Sequence, residues 1–71
     1  MTFIPREPEI GDYVSINEPI ANAEGTFTTG TEFEIIDVRV RHGRTFYDLR
    51  DHDQRLLFDV PLELVRLSRA V

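Results

Sequence analysis

The segment TEFEIIDVRVR, residues 31–41, constrains the fold more than any other part of the chain. Apolar and polar residues alternate with period two, which suits a strand with one buried face and not a helix. The alternation changes phase midway. Phe33 and Ile35 are the apolar set of the first half, Ile36, Val38 and Val40 that of the second, and the two isoleucines meet at the slip. An extra residue in a strand bends it and sharpens its twist, so a bulge is predicted here. A small sheet that turns a corner needs such a bend.

The neighbouring segments read the same way. In GDYVSI, Val14 and Ile16 alternate with Tyr13 and Ser15 as a first strand. NEPIANAEGTFTTG, residues 17–30, is a long loop or irregular hairpin, with Ile20 and Phe27 expected to fold back onto the core. HGR is a short turn in which Gly43 can take a positive φ. Thr45, Tyr47 and Leu49 then alternate with Phe46, Asp48 and Arg50, and DHDQ forms the next turn through its Asp side chains. RLLFDV is expected to place Leu56, Phe58 and Val60 on one face, leaving Leu57 outward. In PLELVRL, Pro61 cannot donate to a ladder, and the spacing predicts one 3₁₀ turn before a last strand around Val65 to Leu67.

No segment carries a sustained 3.6-residue apolar stripe. The expectation is an all-β protein of about five short strands with one 3₁₀ turn near its end. Seventy-one residues make a single domain, residues 1–71, with an ordered core at about 9–67. A core of this size yields only about 3–5 kcal/mol, so binding across a surface is expected, and a homodimer would add stability.

Composition narrows the chemistry. Without cysteine there is no disulfide framework or thiol nucleophile, and two histidines do not complete a zinc site. Neither Ser15 nor Ser68 lies in a nucleophile-elbow context. Asp51, His52 and Asp53 are adjacent turn residues that cannot converge on one ion without a special backbone. The expectation is therefore a protein without catalytic residues, metal or cofactor. MTFIPREPEIG holds no apolar run suited to a signal peptide, and no stretch approaches a membrane span, so a soluble cytoplasmic protein with no membrane partner is expected.

The net charge of −5 conceals an asymmetry. Residues 1–37 hold one Arg and eight acids, residues 38–71 seven Arg and five acids, and there is no Lys. A pI of about 4.8 argues against general nucleic-acid binding but leaves room for a local basic patch.

GDYVSI, TGTEFEIIDV, FYDLRD and LLFDVPLELV, with the gaps between them, resemble the SH3-like small-barrel superfamily over about residues 9–67. GTEFEIIDV resembles the strand after the long first loop, and VPLELVRL the 3₁₀ turn before the last strand. The resemblance implies a five-stranded SH3-like barrel. It departs from the proline-peptide binders, since the chain has no Trp, and from KOW-like domains, since NEPIANAEG has two acids and no Arg. The fold leaves the partner open.

Candidate binding residues cluster in VRVRHGRTFYDLRD, residues 38–51. On an ideal hairpin Arg39, Arg41 and Phe46 face outward with Arg44 near the turn, and Tyr13 is expected to assist them. Arginines around an aromatic anchor suit carboxylates of a protein partner. The bland alternative pairs them with Asp37, Asp48 and Asp51 and lays Phe46 under their stems. The expected function is a non-enzymatic protein-protein interaction module, such as a small phage- or plasmid-type regulator or inhibitor. A Tudor- or KOW-like module using the same arginines on nucleic-acid phosphates is the alternative. A third reading is an acidic inhibitor of a nucleic-acid-binding enzyme, acting through Glu7, Glu9, Asp12, Glu18, Glu24, Glu32 and Glu34. Leu57 and Tyr13 are candidates for a homodimer seam.

Overall fold

The structure is a computed structural model and describes residues 7–69. Its strands are β1 (Tyr13–Ile16), β2 (Ile20–Asn22), β3 (Gly25–Phe27), β4 (Phe33–Arg41), β5 (Arg44–Arg50), β6 (Leu56–Pro61) and β7 (Val65–Arg69). A 3₁₀ turn, Leu62–Leu64, links β6 to β7, as the proline and leucine spacing predicts. The fold is all-β. The leading MTFIPR, read above for targeting signals, lies outside the described residues.

Five strands form one antiparallel sheet in the order β6-β5-β4-β1-β7, and β2 and β3 pair only with each other. The expected count of five thus holds for the main sheet, while the long first loop contributes a separate hairpin. Among the described residues no ladder joins β6 to β7, so the sheet is open and not a hydrogen-bonded barrel. The edge of β6 is blunted locally instead. Asn22 Nδ2 donates to the Leu56 carbonyl at 3.2 Å, and Pro61 has no N–H to offer.

The phase slip in β4 is a bulge. Ile35 opposes Leu49 and Asp37 opposes Asp48, leaving Ile36 without a partner. Before the bulge Phe33 and Glu34 pair with β1, while the residues after it pair only with β5. Residues 11 and 12 complete the ladder at the bend: Gly11 N donates to the Ile35 carbonyl, and Ile35 N donates to that of Asp12.

A second bulge decides the facing of β6. Val60 opposes Tyr47 and Leu57 opposes Leu49, so two residues of β6 lie between positions that only Asp48 separates on β5. Asp59 absorbs the extra residue at φ 56°. Leu57 and Val60 therefore both point inward, and Phe58 is 57% exposed. This reverses the expected facing of Leu57 and Phe58. It also removes Leu57, only 3% exposed, from the proposed homodimer seam.

The core gathers Val14, Phe33, Ile35, Tyr47, Leu49, Leu57 and Val60 from the main sheet and Phe27 from the hairpin. Phe27 packs tilted on Phe33 with ring centres 5.8 Å apart, and Ile20 packs at the margin, so the first loop folds back as predicted. The Tyr47 hydroxyl is buried and donates to the Pro8 carbonyl at 2.8 Å.

Candidate functional site

The β4–β5 hairpin displays its charged residues on one face because β4 and β5 pair without slip from Asp37 to Arg41. Arg39 opposes Phe46, Arg41 opposes Arg44, and Asp37 opposes Asp48. The last pair sets a problem, since like charges directly opposite each other destabilise a ladder. Arg39 resolves it. Its Nη1 donates to Asp37 Oδ2 at 3.1 Å and to Asp48 Oδ2 at 2.6 Å, and its Nη2 donates to Asp48 Oδ1 at 2.7 Å.

The network extends onto β6 through the second bulge. Arg39 Nη2 also donates to Asp59 Oδ1, which accepts from Arg41 Nη2 at 3.2 Å. The Asp59 backbone N–H donates to Asp48 Oδ1 at 3.1 Å. Asp48 is buried, and the Arg39 hydrogen bonds, aided by the Asp59 amide, hold its carboxyl below the ordinary range against the opposing effect of burial. Its bonds to Asp48 and then Asp59 in turn raise the affinity of the Arg39 guanidinium for its proton.

Arg41 and Arg44 differ from Arg39. Their guanidinium carbons lie over the Phe46 ring at 4.7 and 5.3 Å from its centre. Arg44 Nη2 donates to Glu63 Oε1 at 2.7 Å. Glu63 sits on the 3₁₀ turn, which Asn17 fixes by donating its backbone N–H to the Leu64 carbonyl and its Nδ2 to the Glu63 carbonyl. The Glu63 carboxyl lies below its ordinary range, first through its own backbone N–H and then through Arg44. Both arginine side chains remain more than half exposed, at 53% and 60%.

Tyr13 does not join this group. It opposes Glu34 on β4, five residues from Arg39 and about 15 Å along the strand. It lines a separate polar cleft of about 270 Å³ with Glu32, Glu34, Arg50, Asp51, His52 and Gln54. There Arg50 Nη2 donates to Glu34 Oε1 at 2.8 Å, and Ser68 Oγ donates to Glu32 Oε2 at 2.9 Å. Of the acids of the first half, Asp12 is buried and receives the Glu9 backbone N–H, so it adds little to an exposed acidic face.

Asp51 pairs with Arg55 and not with the hairpin arginines. It organises the DHDQ turn by accepting from the backbone N–H groups of Asp53 and Arg55 and from Arg55 Nε. Burial is the strongest single influence on its carboxyl and pushes it up, but these donors together outweigh burial and hold it low. Arg55 also lies over Phe27, 4.6 Å from the ring centre, and so ties the turn to the core. Among the described residues no group of three or more His, Asp or Glu is placed to hold a metal ion.

The residues that sequence reasoning missed are Asp59 and Glu63. Asp is depleted in strands, so Asp59 within LLFDVP was a visible irregularity, but nothing local says that it faces Arg39. No family model matches the chain, and no curated protein or solved structure is significantly similar to it. Among the described residues no helix is long and apolar enough to cross a membrane.

Proposed function

We propose that the chain is a non-enzymatic module that binds another protein through the β4–β5 hairpin, on an SH3-like scaffold. The observation that carries this reading is the Phe46 ring under the Arg41 and Arg44 guanidinium groups, on a face whose other charges are already paired. An aromatic side chain flanked by arginines is the composition of an interface anchor.

The scaffold reading is supported by the bent β4, the hairpin inside the first long loop, the 3₁₀ turn before β7 and the strand order. The charge count favours protein over nucleic acid. Arg39, Arg41 and Arg44 touch four carboxylates, those of Asp37, Asp48, Asp59 and Glu63, so the hairpin face carries a formal −1. Phosphate binding draws its affinity from cations that are not already neutralised. Arg39 serves here to position its neighbours, because four hydrogen bonds occupy its two Nη groups.

The test is affinity capture from host lysate after nuclease treatment, comparing wild type with an Arg41→Ala, Arg44→Ala, Phe46→Ala variant. A protein retained by wild type and lost by the variant supports the reading. Retention by the variant, or loss of the partner on nuclease treatment, refutes it.

A further inference from the structure

We infer that the hairpin receives an exposed aromatic side chain of its protein partner, stacked on the guanidinium planes of Arg41 and Arg44. This deepens the protein-binding reading and rests on it. A guanidinium offers a partner either its N–H edge or its planar faces. On Arg41 an edge nitrogen already reaches Asp59, and on Arg44 one already reaches Glu63. One side of each group meets the Phe46 ring. Both side chains are more than half exposed, at 53% and 60%, and a guanidinium plane is weakly hydrated and stacks well on aromatic rings.

The in-house carboxylates decide between ligand chemistries. An incoming carboxylate or phosphate enters a cluster in which Arg39, Arg41 and Arg44 face four carboxylates, a formal −1, and competes with acids already in position. An uncharged ring stacks on the same groups without displacing either acid. The platform is also assembled beforehand. Asp59 is fixed from behind by Arg39 and by its own N–H to Asp48, and Glu63 by the 3₁₀ turn that Asn17 holds. Preorganised side chains lose less entropy on binding.

The test uses the full chain in solution, titrated separately with N-acetyl-tryptophanamide, sodium acetate and oligothymidine while the Arg Nε–H and Phe46 ring resonances are followed by NMR. Saturable shifts at Arg41, Arg44 and Phe46 with the indole, little altered by salt, are expected, with none from acetate or the oligonucleotide. Arg44→Lys keeps the charge and removes the plane, and it should weaken the indole response about five- to tenfold while the rest of the spectrum stays folded. Shifts produced by acetate or oligothymidine but not by the indole overturn the inference, as does an indole response unchanged in Arg44→Lys. If the indole fails while protein capture still depends on Arg41, Arg44 and Phe46, stacking is refuted and the protein-binding reading stands.

Discussion

Arg39 grips Asp48 with two parallel hydrogen bonds, at 2.6 and 2.7 Å, diagonally across the β4–β5 ladder. Arg39 bridges the facing carboxylates of Asp37 and Asp48, and through Asp59 it pins the bulge of the edge strand. A residue expected from sequence to grip a partner thus grips its own sheet.

Arg39→Ala leaves three carboxylates clustered without their shared cation. It should destabilise the fold more than either neighbouring arginine substitution, because it leaves the buried Asp48 carboxylate without its two-point partner. Arg41→Ala and Arg44→Ala should each cost at most about 1 kcal/mol. Urea unfolding of the three variants checks the order, and equal losses would show that Arg39 is not the keystone.

Acid should weaken the fold through Asp48 and Asp51, whose folded carboxyls titrate below their unfolded values. Their contribution is complete above the ordinary carboxylate range, near pH 4, and is lost as pH falls through the lower folded values. Stability measured from pH 6 downward should drop less steeply in Asp48→Asn than in wild type, from a lower starting point. An unchanged slope would assign the acid response elsewhere.

Alkali acts through Tyr47. Burial first, and then the charges of Glu7, Asp12 and Glu9, raise its phenol above the ordinary value. Its contribution is complete below the unfolded value, about pH 10, and is lost as pH rises toward the folded one. Tyr47→Phe should abolish that alkaline loss and cost about 1–2 kcal/mol at neutral pH by orphaning the Pro8 carbonyl. Persistence of the loss in the variant would assign it to another group.

Leu57 and Phe58, neighbours on β6, should behave oppositely. Leu57→Ala opens a core cavity and should cost about 2–4 kcal/mol, whereas Phe58→Ala should stay within about 1 kcal/mol. The reverse order would restore the facing read from simple alternation and remove the Asp59 bulge.

Much of this protein is determined by its sequence alone. Period-two alternation, the doubled isoleucine at 35 and 36, and the turn chemistry of Asp51 act over neighbouring residues, so strands, first bulge and turn could be read locally. Proline and leucine spacing likewise placed the 3₁₀ turn. The Asp59 bulge could not be read, because LLFDV also fits an unbroken strand, and only pairing against Tyr47 and Leu49 shows the extra residue. The site divided in the same way. Arg41, Arg44 and Phe46 are close in sequence and meet across one turn, whereas Asp59 and Glu63 arrive from another strand and another turn. Sequence alone counts four basic residues in the 38–51 stretch; tertiary structure neutralises the hairpin face by bringing distant carboxylates within hydrogen-bond reach. Charge is a property of a residue, but its availability depends on what the fold places beside it.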